Sequence, residues 1–206
     1  MSQELLVEQL IQEGYLKTPE IIEAFKKTDR VKFVLEESKE NAYLNTPLSI
    51  GEGQTISQPA TVAFMLELLQ PKKGDKILDV GFGSGWQTAI LAEIVGAKGE
   101  IFAVEIVPEI FEWGKKNVEQ FGFKNVHFFL GNGLVEIEEY APFDKIIAAA
   151  AGWEIPKIWK DQLKVGGRLV LPVYNSLWLV VRSASDWEEK EFPGFVFVPL
   201  IEPKRK

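Results

Sequence analysis

Apolar positions in the first part of the chain recur at helical spacing. Leu5, Leu6, Leu10 and Ile11 fall on one face of a helix that Ser2 would cap and Gly14 would end. Thr18 as N-cap, Pro19 at the first helical position and Glu20 in the first turn introduce a second helix carrying Ile21, Ile22, Ala24 and Phe25. From Thr28 to Pro59 the periodicity lapses, with Pro47, Gly51 and Gly53 as punctuation. The pattern there predicts a long ordered loop or arm, and loops of that length in a compact domain usually carry function. Val62, Met65, Leu66 and Leu69 then predict a helix from Ala60 to Leu69, and Pro71 to Asp75 turns the chain into a strand at Lys76 to Val80.

Beyond this point strand and helix patterns alternate, the signature of a parallel α/β sheet. After the first strand comes a helix bearing Ala89, Ile90, Leu91, Ala92, Ile94 and Val95. Ile101 to Glu105 reads as a second strand, followed by a helix from about Pro108 to before Gly122; Val126 to Leu130 is a third, followed by a short helical stretch at Val135 to Tyr140. Lys145 to Ala149 is a fourth, with Ile155 to Leu163 as its helix, and Gly166-Gly167 leads into Arg168 to Pro172. Leu177 to Arg182 and Phe195 to Leu200 are β-rich with no helix between them, so an antiparallel pair at one sheet edge is expected. The fold class is α/β, mostly parallel, in one domain. Residues 1–59 form an N-terminal helical and arm extension, 60–175 the core, and 176–206 a β pair with a tail.

Composition narrows the chemistry. The 206 residues are 46% hydrophobic and include no cysteine and one histidine, so disulfides, thiolate metal sites and cysteine nucleophiles are excluded. His127, inside the third strand, is expected to be structural. No metal site is expected. A net charge of -7 argues against a surface built to bind nucleic acid. No apolar run reaches the length of a membrane span, and the N-terminus lacks the features of a signal peptide, so a cytoplasmic protein with no membrane partner is expected. Lys204-Arg205-Lys206 reads as a solvated tail.

Candidate chemistry gathers at the strand ends, where open parallel sheets bind ligands. The first strand runs into Gly81, Gly83 and Gly85, spaced G-x-G-x-G between strand and helix. The third glycine of a dinucleotide fingerprint would lie at Trp86, and an indole there leaves less room for a pyrophosphate. S-adenosylmethionine has no phosphate and suits such a turn. Glu105, about 20 residues beyond Gly85, can accept hydrogen bonds from ribose hydroxyls, which fits an adenosine ligand of either kind. Asn132, in Gly131-Asn132-Gly133, either meets the adenine edge or is a plain turn residue. Asp79 either holds the glycine loop by backbone hydrogen bonds or stabilises an ordinary turn. The fourth strand ends in Ala148-Ala149-Ala150-Ala151-Gly152-Trp153, without an acid, His, Lys or Cys. Such a site suits an acceptor that is already an anion, because a carboxylate needs no base before methyl transfer.

The stretch Tyr43 to Pro59, Y-L-N-T-P-L-S-I-G-E-G-Q-T-I-S-Q-P, resembles the signature arm of the protein-L-isoaspartate O-methyltransferases. Similar matches occur at Asp144, Glu154-Ile155-Pro156, Gln162-Leu163, Gly166-Gly167-Arg168-Leu169 and Phe197-Val198-Pro199-Leu200. The resemblance implies a Rossmann-like S-adenosylmethionine methyltransferase fold and S-adenosyl-L-methionine as cofactor. It also implies methylation of L-isoaspartyl residues in damaged proteins, as protein repair. By matched position, Ser57 would contact the acceptor carboxylate, with Thr55 beside it as the second catalytic candidate. Thr55 and Ile56 would shape the mouth, and Val198 would help hold the substrate backbone. Glu105 would bind the ribose, Gly81, Gly83 and Gly85 the methionine portion, and Asn132 the adenine. The chain departs from the family pattern at Asn45, Ala60, Asn132 and Gly152-Trp153. A related methyltransferase with another acceptor, a non-catalytic cofactor-binding module and a nicotinamide dehydrogenase remain alternatives. An alternative reading of Ser57 is a hydroxyl capping the helix after Pro59.

Overall fold

The computed structural model describes residues 2–135 and 137–201; the basic tail expected at Lys204-Arg205-Lys206 lies outside them. Seven strands form one sheet: β3 (Lys76–Val80), β4 (Glu100–Glu105), β5 (Val126–Leu130), β6 (Phe143–Ala148), β7 (Leu163–Val173), β8 (Ser176–Arg182) and β9 (Trp187–Pro193). Their spatial order is β5-β4-β3-β6-β7-β8-β9, with β3 to β7 parallel and the last two pairings antiparallel. Successive residues point to opposite faces, as a pleated strand requires. Ile77, Ile101 and Ile147 enter one hydrophobic core, whereas Leu78, Phe102 and Ile146 enter the other. Both faces are thus covered, which explains why these strands read as nearly unbroken apolar runs.

The antiparallel edge is present but differs from the expected pair. β8 pairs with β9, from Ser176 opposite Pro193 to Arg182 opposite Trp187. Trp187 to Pro193 is rich in charge, and its alternation was hidden because an edge strand exposes one row of backbone and most of its side chains. Phe195 to Leu200 forms no strand; it runs extended past Ala151, touching it through a single bridge at Pro199. β7 also begins earlier than Arg168: Leu163 pairs with Phe143 and Arg168 with Lys145, so Gly166-Gly167 lies in a bulge within the strand. The helix after β6 shortens to α6 (Lys157–Asp161), and the stretch before β6 is a 3-10 turn at Glu138–Tyr140.

Helices α1 (Gln3–Gln12), α2 (Pro19–Lys27) and α3 (Pro59–Leu69) precede the sheet, and α4 (Trp86–Val95) and α5 (Pro108–Glu119) follow β3 and β4. The buried face of α1 is Gln3, Leu6, Val7 and Leu10, while Leu5 and Ile11 are exposed. Gln3 belongs to the buried face because its amide is satisfied there, donating to the Phe25 carbonyl at 2.6 Å and accepting from the Arg30 N–H at 3.2 Å. Thr18 stands at the N-cap of α2 but does not cap through its own side chain. Glu67 of α3 instead accepts from the Lys17 and Thr18 N–H groups, both at 2.8 Å, and from the Thr18 hydroxyl at 2.7 Å.

The arm between α2 and α3 is ordered, with two 3-10 turns (Arg30–Phe33 and Glu36–Asn41) and an antiparallel hairpin of β1 (Leu48–Gly51) and β2 (Gln54–Ile56). Arg30 holds it. Its side chain is fully buried, and its guanidinium donates to the carbonyls of Ala42 (2.6 Å), Leu44 (3.3 Å), Thr46 (3.0 Å) and Ser57 (3.1 Å). It also lies over the Trp86 ring, 5.3 Å from the centroid. Burial pushes the guanidinium down to about 10, still fully charged at neutral pH. Replacing Arg30 with Met should therefore leave these carbonyls without their donor and cost about 3 kcal/mol or more by urea unfolding. Arg30→Lys should recover only part of that, because an ammonium lacks the planar fork. Equal stability of wild type and Arg30→Met would refute this role for the arginine.

Candidate functional site

The strand order turns about β3 and β6, and a cavity of about 760 Å³ opens at their carboxyl ends. Every parallel strand end inspected in the sequence contributes to its wall: Val80 to Ser84 after β3, Glu105 to Val107 after β4, Gly131 to Gly133 after β5, and Ala149 and Ala150 after β6. Backbone bonds set the depth of these ends, with the Gly81 N–H donating to Val104 O at 2.8 Å, Gly131 to Glu105 O at 2.9 Å and Ala149 to Val80 O at 2.9 Å. The opposite wall comes from the arm, Gln54 to Gln58, and from the C-terminal segment Pro193 to Ile201. Residues distant in sequence thereby share one space of the size usual for a ligand site.

The glycine turn has two kinds of glycine. Gly81 and Gly83 line the cavity with positive φ, and a side chain at either would project from the turn. Gly85 also has positive φ but does not line the cavity; a Cβ there would lie 2.5 Å from Val118 and 2.8 Å from the Gly114 carbonyl of α5. Gly114 answers it, since a Cβ on that residue would lie 2.0 Å from the Gly83 carbonyl. Gly114 sets how closely α5 supports the turn. An isolated glycine inside a helical pattern was the sequence signal for it.

Trp86 does not obstruct the turn. Trp86 borders the cavity, but its indole is buried, edge-on to Phe25 with centroids 5.3 Å apart, and its Nε1–H donates to the Thr28 carbonyl at 2.9 Å. The steric argument against a pyrophosphate therefore fails: the indole finds an apolar pocket and a hydrogen-bond partner among the N-terminal helices.

Glu105 faces the cavity. One carboxylate oxygen accepts from the Gly83 N–H at 3.0 Å, and the other from Ile106 (2.8 Å) and Val107 (3.0 Å). Among the described residues of the wall it is the only charged side chain. Asp79 is not in the wall. It is fully buried and accepts from Gln87 Nε2 at 2.8 Å and the Thr88 hydroxyl at 2.7 Å, so it fixes the first turn of α4 through side chains and makes no backbone bond to the glycine loop.

Asn132 reaches the wall, but both ends of its amide are engaged. Oδ1 accepts from the Leu134 N–H at 2.9 Å, as in an Asx turn, and Nδ2 donates to the Ile201 carbonyl at 2.9 Å. The second contact ties the C-terminal segment over the cavity, and nothing local in the sequence announces it.

Ser57 and Thr55 lie on the arm side, Thr55 exposed at the rim and Ile56 buried beneath it. Ser57 does not cap α3. That helix has Gln58 at its N-cap without a side-chain bond, and Asn45 Oδ1 instead accepts the Ala60 N–H at 3.0 Å. The Ser57 hydroxyl has no hydrogen-bond partner among the described residues, while its carbonyl is held by Arg30. Val198 lines the wall, and its carbonyl accepts from the Ala151 N–H at 2.8 Å. His127 is outside the cavity, 3.2 Å from Glu100 and against the Phe102 ring. No group of three or more His, Cys, Asp or Glu side chains suited to a metal occurs among the described residues.

A family model described as protein-L-isoaspartate(D-aspartate) O-methyltransferase matches residues 1–205. The chain is 42% identical over 202 residues to the protein-L-isoaspartate O-methyltransferase of Ignicoccus hospitalis, covering 96% of each. It is 43% identical over 201 residues to that of Pyrococcus horikoshii, covering 95% of this chain and 90% of the other. Among solved structures, a Plasmodium falciparum protein-L-isoaspartate O-methyltransferase in complex with S-adenosyl-L-homocysteine superposes with a TM-score of 0.87 at 24% identity, covering 98% of this chain and 99% of that one. A second protein-L-isoaspartate O-methyltransferase gives 0.87 at 29% identity, covering 96% and 65%.

Two measurements probe this geometry. Burial raises the Asp79 carboxyl to about 6, against the two hydrogen bonds that favour its ionised form. Between about pH 4 and 6 the folded state then holds a proton that the unfolded state has released, so this group's contribution falls as pH rises through that window. In urea titrations, Asp79→Asn should remove that downward component relative to wild type; parallel stability curves across the window would refute it. Asn132→Asp should keep the Leu134 bond but set a carboxylate oxygen against the Ile201 carbonyl. Limited proteolysis read by mass spectrometry should show faster cutting within residues 194–201, and an unchanged cleavage rate would count against the tie.

Proposed function

Because the chain belongs to the protein-L-isoaspartate(D-aspartate) O-methyltransferase family, we propose that it methylates the α-carboxylate of L-isoaspartyl residues in damaged proteins. S-adenosyl-L-methionine is the cofactor, and it supplies a methyl group activated as a sulfonium. Methylation prepares the carboxylate for succinimide formation, and hydrolysis of the succinimide restores normal aspartate, which makes the enzyme a repair enzyme. A single-domain protein acting in the cytoplasm belongs to the same reading.

The cavity wall carries this reading. Its one charged side chain, Glu105, is already held by three backbone N–H groups, and its remaining described residues supply hydroxyls, amides, backbone and apolar surface. A phenol or neutral amine would call for a base to take its proton, whereas an acceptor carboxylate arrives ionised. What the protein must provide is position and exclusion of water.

The residues fit an adenosine-bearing sulfonium. Gly81 and Gly83 present open backbone to the methionine portion, and Glu105 keeps one lone pair, on the oxygen that accepts from Gly83, for a ribose hydroxyl. Gly85 and Asp79 serve the cofactor indirectly, by holding α5 and α4 against the turn. Asn132 borders the adenine side through backbone and the amide fixed to Ile201, in place of a free acceptor. The solved Plasmodium falciparum protein of this fold was in complex with S-adenosyl-L-homocysteine, the product that remains after methyl transfer.

On the acceptor side, the Ser57 hydroxyl is free to donate to the carboxylate, and Arg30 fixes the backbone that presents it. Thr55 adds a second hydroxyl at the rim, and Ile56 anchors the hairpin beneath. Val198 lines the cavity together with the arm and positions the substrate backbone. Ala60 leaves this end roomy.

Methyl transfer from labelled S-adenosyl-L-methionine to an isoaspartyl peptide, measured beside its normal aspartyl twin, tests the reading. Labelling should be confined to the isoaspartyl member, and equal or absent labelling would sink the proposal. Ser57→Ala should lower kcat/KM by about 10- to 100-fold, the worth of one hydrogen bond to a charged group, without weakening cofactor binding.

A further inference from the structure

The cavity mouth is bordered by apolar surface that folding does not use. Trp153 is 65% exposed and Tyr174 61% exposed. Their rings meet edge to face, with centroids 5.5 Å apart and planes at 72°. Each ring limits the rotamers of the other, so the pair forms a fixed ledge. Val196, 84% exposed, belongs to the cavity wall itself.

Backbone bonds join this ledge to the mouth. The Tyr174 N–H donates to the Gly152 carbonyl at 3.0 Å, linking the loops that carry the two rings. Ala151, two residues before Trp153, donates to the Val198 carbonyl at 2.8 Å and accepts from the Leu200 N–H at 2.8 Å. On the other side, the Asn175 carbonyl accepts from the Gly194 and Phe195 N–H groups, both at 3.0 Å. Val198, Leu200, Gly194 and Phe195 all line the cavity. Trp153 and Tyr174 are thus at most two residues, about 7 Å of backbone, from groups bonded to the wall.

The backbone at Tyr174 adds an independent sign. Its φ is 50°, in the left-handed region, which a glycine would adopt freely and a bulky residue resists. A surface turn thus holds an unfavourable tyrosine whose ring is not buried. The two-residue turn between Val173 and Ser176 imposes that φ but does not call for an exposed aromatic ring there, and exposed apolar clusters beside a ligand cavity mark binding surfaces.

We propose that Trp153 and Tyr174 form a docking ledge for the substrate polypeptide, taking an apolar side chain within about four residues of the methylated one. The inference rests on the reading of the cavity as an isoaspartyl carboxyl site. An acceptor residue inside a chain must leave the cavity with chain on both sides, and at about 3.3 Å per extended residue one flank crosses the ledge within that span. Tyr and Trp give large contact area with little rotamer entropy to lose. A ledge of this kind favours apolar flanks and is indifferent to polar ones.

The test uses isoaspartyl peptides that are otherwise Gly and Ser, with a single Leu placed in turn at each of four positions on either side. In the wild type, Leu at one or two positions on one flank should lower KM about fivefold or more, the worth of one partly buried apolar side chain, with kcat unchanged. The double variant Trp153→Ala, Tyr174→Gly should lose that preference while keeping its kcat, its KM for the all-polar peptide and its cofactor affinity. Tyr174→Gly relieves the backbone, so the turn survives the change. Labelling of the polar peptide with no effect of Leu, or a preference that persists in the double variant, overturns the ledge and leaves the carboxyl methyltransferase reading intact. No labelling of any peptide overturns both. A wild-type dimer by sedimentation that dissociates in the double variant would mean that the ledge meets a second copy of the chain, and would also overturn the proposal.

Discussion

The fixed charge of Arg30, buried among backbone carbonyls, is the constraint on which the site depends. Taking a guanidinium out of water is expensive, and the cost is offset only if its donors find good acceptors. No acid pairs with it among the described residues; four carbonyls from Ala42 to Ser57 share its charge. Because those carbonyls span the arm, placing these four bonds and folding the arm are one event; the Nε–H alone is left without a partner among the described residues. The same side chain lies over Trp86, the first residue of the helix after the glycine turn. One buried cation therefore references the acceptor wall to the cofactor wall.

The opposite wall is fixed by close approach of backbone. Gly114 lets α5 come so near the turn that any side chain would strike the Gly83 carbonyl, and Gly85 accommodates the reverse contact. Glu105 then locks the turn from the neighbouring strand by accepting the Gly83 N–H. Such a turn is preorganised, so little ordering remains to be done when a ligand binds. The third wall is held more lightly. Beyond the end of β9, the segment Gly194 to Ile201 crosses the mouth outside any strand, held by bonds to Ala151, Asn175 and Asn132. It carries the surface along which a polypeptide would leave.

The helices and parallel strands were legible because burial on one stripe or on both faces writes a period into the chain. Lys76 to Val80 and Val126 to Leu130 appear in the fold with those bounds, and Ile101 to Glu105 begins one residue earlier, at Glu100. The sheet edge was not legible. Trp187 to Pro193 carries charge on exposed positions and so hides its pairing, whereas Phe195 to Leu200 has strand-like composition because it packs against the core and the cavity without forming a ladder. In the site, Gly81, Gly83, Glu105, Asn132, Ile56, Ser57, Thr55 and Val198 do meet around one cavity. Asp79 and Gly85 stand behind it; Arg30 was missed because a buried cation looks ordinary in one dimension, and the isolated glycine at Gly114 signals a close contact without saying with what.

By itself, the sequence determined the α/β class, the turn at the end of the first strand and the likeness of the arm, since each depends on residues that are neighbours in the chain. The tertiary structure decided which partner each polar group found. Trp86 gave its indole N–H to the Thr28 carbonyl, Asn45 rather than Ser57 capped α3, and Asn132 spent its donor on Ile201. A buried hydrogen-bonding group must be satisfied, but which distant group satisfies it depends on where packing has brought the backbone.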